Sequence, residues 1–246
     1  MRDIPCGRLP STPAAEPDGI AVREQLRYVI CAFVPIAPPP AYSVSPAHPA
    51  SPAAPSPPRH DLTVLLIRHA EKPDREHPGV DAELRPDRKS LTARGWDRAR
   101  KLPALFGPYG DALGGPELPL PTVVFAAGRH GPAGGARRLE QTVTPLAEQL
   151  GLTVRTDHGK TQERALARAA TTAARSPVLI CWQHGHIPAL VRAFGAENAG
   201  PVPPPTRWPT ERYDLVWVFT YEVRAGRWGF RQVGQGLLDG DRVPYG

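Results

Sequence analysis

A chain of 246 residues with a formal charge of +6 and 32 prolines has room for one large domain or two small ones. Its arginines are scattered among acids and its aromatics stand apart from any Lys/Arg run; this excludes the basic stripe and interleaved stacking pattern of nucleic-acid binders and favours a small anionic partner. Cys6, Cys31 and Cys181 are too few and too widely spaced for a disulfide framework or a zinc knuckle, which fits a reducing, cytoplasmic setting with neither metal nor cofactor.

Residues 1–60 are dominated by Pro, Ala and Ser. Proline removes backbone donors and fixes φ, so this extension is expected to be disordered or polyproline-like. Within it, Tyr28 to Ala37 is a short apolar stretch preceded by Arg23 and Arg27, similar to a weak signal-peptide core. That keeps secretion open as the alternative to the cytoplasm, but the stretch is too short to span a bilayer and no membrane partner is expected. Residues 61–246 remain as one domain, long enough to bury a core without staples.

From residue 61 onward helix and strand patterns alternate, as in an α/β layered domain. Leu62 to Arg68 is a continuous apolar run ending in Arg68-His69, the mark of a buried parallel strand. A polar loop follows to Ser90, and Thr92 offers an N-cap to a helix carrying Gly95, Ala99, Leu102 and Phe106, with Pro103 predicting a kink or an early end. Thr122 to Ala127 is a second strand, and Gly128 to Gly135 a glycine-containing loop. Leu139, Val143, Leu146 and Leu150 then share a helix face, Pro145 implies a kink, and Gly151 caps the end. A short strand over Leu152 to Thr156, a helix over Gln162 to Ala174 and a third buried strand over Pro177 to Trp182 come next, Cys181 being a buried small residue of that strand. His184 stands directly after it, before a helix that Pro188 suits in its first turn. Leu215 to Glu222 and Trp228 to Val233 read as a hairpin turning near Ala225-Gly226.

Open α/β sheets place ligands beyond the carboxyl ends of their strands. Read alone, Arg68 and His69 are equally the polar end of a strand. Arg137-Arg138 and His184, however, arrive at two further element boundaries. Guanidinium groups give a phosphoryl dianion charge-assisted, bidentate hydrogen bonds. One neutral imidazole can attack phosphorus, and a second, protonated near neutrality, can donate to its oxygens. Two arginines and two histidines thus suffice for phosphoryl transfer without metal.

At these residues the chain resembles the histidine phosphatase superfamily, the phosphoglycerate mutase-like family. Its Arg-His-Gly hallmark is similar to Arg68-His69-Ala70, its Leu-Thr-x-x-Gly helix opening to Leu91-Thr92-Ala93-Arg94-Gly95, its Arg-x-x-Gln-Thr element to Arg138-Leu139-Glu140-Gln141-Thr142, and its second-histidine His-Gly to His184-Gly185. Together they run from about residue 62 to 195. The resemblance implies a three-layer α/β/α sandwich with a mainly parallel central sheet. It implies that His69 attacks phosphorus, that Arg68, Arg138 and His184 hold the phosphoryl oxygens, and that water then hydrolyses the phosphohistidine. The substrate would be a small phosphorylated compound or a phosphoprotein. Ala70 departs from the family's glycine and requires a backbone without positive φ there.

Many members also carry an acidic residue that protonates the leaving oxygen. Glu163, after the Gly159-Lys160 turn, is the first candidate, with Asp157, Glu71 and Asp214 as alternatives; each is also readable as a surface or structural charge. His186 either extends the site or caps a helix, Lys72 either meets the substrate or is solvated, Arg137 is read as structural or exposed, and His130 and His158 as surface loop residues. Two other readings stay open: a phosphate-binding module that has lost the acid, and a metal-dependent hydrolase built on His184 and His186.

Overall fold

Six strands form one sheet in the order β3-β2-β4-β1-β5-β6. They are β1 Leu62–Arg68, β2 Val123–Ala126, β3 Val154–Arg155, β4 Val178–Trp182, β5 Leu215–Glu222 and β6 Arg227–Gly234. Four helices accompany them: α1 Ala93–Lys101, α2 Arg138–Gln149, α3 Glu163–Thr172 and α4 Ile187–Phe194. The structure is a computed structural model describing residues 56–107, 118–129, 137–173 and 176–242. The expectations for the proline-rich extension up to residue 55, including Tyr28–Ala37, Cys6 and Cys31, and for His130 and most of the Gly128 to Gly135 loop, lie outside the described residues. Ser51–Gly246 forms a single compact unit.

The sheet is mixed, which corrects the expectation of a mainly parallel one. β3, β2, β4 and β1 run parallel, but β5 lies antiparallel against β1, and β6 antiparallel against β5. The cause is legible in the strands themselves. β1, β2 and β4 are almost wholly apolar and buried on both faces, as parallel strands are. β6 alternates between buried and more exposed positions, the pattern of an antiparallel strand with one wetter face, and the tight Glu222–Gly226 turn joins it to β5 as a hairpin. Each Val, Leu or Ile buried in the central strands contributes about 1.5–3 kcal/mol relative to exposure. The apolar run that first suggested β1 is thereby the centre of the core: Val64, Leu65, Leu66 and Ile67 are all inaccessible to solvent.

Local sequence explains the element ends. Thr92 caps α1, its hydroxyl accepting from the Gly95 N–H at 3.1 Å. α1 stops at Lys101 and tightens into a 3-10 turn over Leu102–Leu105, an early end at Pro103, which has no N–H to continue the ladder. α2 continues through Pro145 to its cap at Leu150. Only Val154 and Arg155 of the short strand expected over Leu152 to Thr156 pair with β2, at the sheet's edge. His184–His186 forms a 3-10 turn before α4, with Pro188 in the first turn. Among the described residues no helix is long and apolar enough to cross a membrane.

The strand order matters for the site. β4 lies beside β1 with Trp182 in register opposite Arg68, so the residues following both strands leave the sheet side by side. That adjacency brings His69 and His184 together from positions 115 residues apart in the chain.

Candidate functional site

At the end of β1, Arg68 is 1 % exposed and His69 7 %. The imidazole Nδ1 lies 2.7 Å from the Ala70 carbonyl. A carbonyl can only accept, so Nδ1 carries the proton and the Nε2 lone pair is free. Burial pushes the His69 pKa down to about 3; the hydrogen bond to Ala70 works the other way, and the charges of Arg68, Arg138 and His184 add to the fall. The ring is therefore neutral near pH 7. Ala70 does not adopt a positive φ, which meets the condition for alanine at the family's glycine position.

Arg68 donates through Nη1 to the carbonyls of Thr210 and, at 3.4 Å, Arg212. Its Nε and Nη2 are buried with no hydrogen-bond partner among the described residues. Burial lowers its pKa, partly offset by Tyr213, Glu211 and Glu71.

Arg138 opens α2 and is held by the loop before α1, donating from Nε to the Ser90 carbonyl at 3.0 Å and from Nη2 to that of Arg88 at 2.8 Å. The loop is itself fixed: Ser90 donates from Oγ to Asp87 at 2.7 Å and accepts from Gln141 Nε2 at 2.9 Å. Thr142, one turn into α2, accepts from the Ala70 N–H at 2.9 Å and donates to the Arg138 carbonyl at 2.6 Å. The Gln and Thr of the Arg-x-x-Gln-Thr element thus tie Arg138 to the strand end that carries His69. The Leu-Thr-x-x-Gly element has an equally mechanical basis. A Cβ at Gly95 would come within 2.7 Å of the Glu71 carbonyl, so only glycine lets α1 approach the segment leaving β1.

The His184 ring stands edge-on to His69, centroids 6.2 Å apart and planes at 79°. Its Nδ1 is buried without a partner among the described residues. Burial and the charges of Arg68 and Lys72 lower its pKa, and Glu211 raises it. A phosphoryl dianion placed beside it would move the pKa back up. Lys72 is exposed, and its charge reaches His184.

The four carboxylates weighed as proton donors are differently engaged. Glu71 pairs with Arg98 at 2.8 Å and with Arg94 at 3.5 Å. Asp214 binds Arg212 at 2.6 Å and accepts from the Arg242 N–H. Asp157 is exposed beyond β3. Glu163 is buried, and its Oε1 accepts from Trp182 Nε1 at 3.1 Å, the Thr161 N–H at 3.2 Å and His186 Nδ1 at 2.9 Å. His186 is thereby oriented by Glu163. Arg137 is exposed and lies 3.7 Å from Asp87. His158 is half-buried, stacked on Phe125 with centroids 6.5 Å apart, a correction to its reading as a surface residue. Among the described residues no group of three or more His, Cys, Asp or Glu side chains is arranged to hold a metal ion.

Two residues at the site escaped the sequence reading. The Tyr213 ring lies against both Arg68 and His69, and Glu211 is the exposed carboxylate whose charge reaches Arg68 and His184. Both belong to the stretch between the proline-rich Val202 to Pro209 segment and β5; its one signal is an aromatic and charged residues crowded before a buried strand.

No family profile matches this chain, and no curated protein matches it. Among solved structures it is similar to one from Nakamurella multipartitia provisionally named phosphohistidine phosphatase SixA, at 21 % identity and a TM-score of 0.41, over 71 % of this chain and 95 % of that chain.

Proposed function

We propose that the protein is a phosphatase that hydrolyses a phosphate monoester or a phosphohistidine through a phosphohistidine intermediate on His69. One observation carries the reading. A neutral imidazole whose only lone pair is on Nε2 stands next to a buried guanidinium with two nitrogens unpartnered among the described residues. In the first step the Nε2 lone pair forms a bond to phosphorus while the bond from phosphorus to the leaving oxygen or nitrogen breaks. The leaving group takes a proton from solvent or a nearby acid. Arg68 donates from Nε and Nη2, His184 from a ring N–H, and Arg138 supplies positive charge, each gaining strength as charge builds on the phosphoryl oxygens. In the second step water attacks the phosphohistidine, the phosphorus–nitrogen bond breaks, and phosphate and neutral His69 are regenerated. The chemistry uses side chains alone, and the substrate is a small phosphorylated compound or a phosphoprotein.

The test is turnover of an aryl phosphate by the full chain with and without chelator, beside His69→Ala and with trapping of an acid-labile phosphoprotein. Wild type should turn over in chelator and form the labelled intermediate, and His69→Ala should lose about a thousandfold or more. Turnover that survives His69→Ala overturns the mechanism. Loss of activity to chelator would favour the metal-dependent hydrolase, and binding of phosphate without turnover the binding module.

A further inference from the structure

Residues 210–213 form a side of the site that none of the motif positions supplies. The Tyr213 ring centroid is 3.9 Å from Arg68 Cζ, so the guanidinium lies over the aromatic face. The same ring is 5.9 Å from the His69 ring, tilted by 54°. Two carbonyls of this segment, from Thr210 and Arg212, take the Nη1 corner of Arg68. One face and one corner of the guanidinium are therefore occupied by three residues of this one segment, Thr210, Arg212 and Tyr213. The opposite edge, Nε and Nη2, is unpartnered among the described residues. That edge is a two-pronged donor matched to two oxygens of a phosphoryl group.

The division follows from what a guanidinium needs. Carbonyls at one corner fix its rotation in its own plane, but they leave the tilt of that plane free. An aromatic ring against the face fixes the tilt. Glu211, between the two residues whose carbonyls accept from Arg68, leaves its carboxylate exposed and does not fill the Nε/Nη2 edge.

We propose that Tyr213 is a positioning residue for anion recognition: its ring holds the plane of Arg68 so that the Nε/Nη2 edge faces a phosphoryl group beside His69. The inference rests on the phosphoryl reading above. A residue that merely fills space is replaceable by any side chain of similar bulk, whereas a platform needs a π face.

Binding of vanadate and of inorganic phosphate to the full chain, measured by calorimetry, separates the two. Tyr213→Phe should bind within about twofold of wild type, and Tyr213→Leu about tenfold more weakly, in the range of a desolvated cation–π contact. Tyr213→Met is the second non-aromatic variant, with the same expectation should the leucine variant not fold. In an Arg68→Lys background Tyr213→Leu should cost little more, because a point-charge ammonium has no plane to hold. Equal binding by Tyr213→Leu and wild type would overturn the inference, as would a loss additive with Arg68→Lys, or a Tyr213→Phe variant as weak as Tyr213→Leu. Wild type that binds neither anion sinks the phosphoryl reading itself, and the inference with it.

Discussion

Arg68 and Arg98 are buried to nearly the same depth, 1 % and 3 % exposed, and the molecule treats them in opposite ways. Arg98 meets Glu71 and Asp241 with two-pronged contacts and Gln235 with a third, each between 2.7 and 3.2 Å. Burial alone would lower its pKa, but the hydrogen bonds and charges of Asp241 and Glu71 outweigh that and leave it above the ordinary value. Arg68 has two carbonyls, an aromatic ring and two nitrogens without a partner among the described residues, and burial leaves its pKa below the ordinary value. A buried charge satisfied by its own chain is a fastener. One left half-satisfied lacks the partner that makes burial worthwhile, and a dianion is the partner that fits it.

The comparison breaks most visibly in stability. Arg98→Met strips Glu71 and Asp241 of their partner and should cost about 3–5 kcal/mol in denaturant unfolding. Arg68→Met leaves the Thr210 and Arg212 carbonyls without their donor but orphans no carboxylate among the described residues, and should cost about 1–3 kcal/mol, less than Arg98→Met. A large loss at position 68 would erase the distinction between the two arginines. Ligand linkage sharpens it: phosphate or vanadate at a hundredfold its dissociation constant should stabilise wild type by about 2.7 kcal/mol and Arg68→Met hardly at all, read as a shift in unfolding midpoint.

Proton linkage tests the same pocket through His69. Its folded pKa of about 3 lies below the 6.5 of an unperturbed histidine. Between those values the unfolded chain binds the extra proton, so the contribution to stability is full above pH 6.5 and falls as pH drops toward 3, by at most about 1.4 kcal/mol per pH unit. Unfolding of wild type and His69→Gln across this window should show a steeper acid decline in wild type; parallel curves would refute the neutral imidazole. The smallest effect is expected at Glu211. Its carboxylate raises the His184 pKa, so Glu211→Gln should lower the midpoint of His184 in an NMR titration, and a rise would contradict the placement.

What was legible in the sequence was whatever short-range chemistry encodes. The β1 run, the Thr92 cap, Pro103 as a stop and the hairpin of β5 and β6 follow from patterns spanning a few residues. Arg68, His69, Arg138 and His184 stood at element ends, where periodicity stops and polar residues begin; the structure sets the His69 and His184 rings edge-on after neighbouring strands, and the charge of Arg138 reaches His69. The partners of Arg98 were hidden because Glu71 and Asp241 stand 27 and 143 residues from it in sequence. Tyr213 was hidden because nothing in a proline-rich connection fixes which residue turns inward. The mixed character of the sheet was missed for a related reason: the hairpin was visible, but its docking onto β1 depends on strand order, which no local pattern encodes.

Thr142 carries a consequence of a different kind. Its hydroxyl spans the Ala70 N–H and the Arg138 carbonyl, so the backbone beside His69 and the backbone of Arg138 are spaced by one side chain inside α2. On the phosphoryl reading proposed above, the two groups that meet the substrate are held to one another by the hydroxyl of a buried residue that need not touch it.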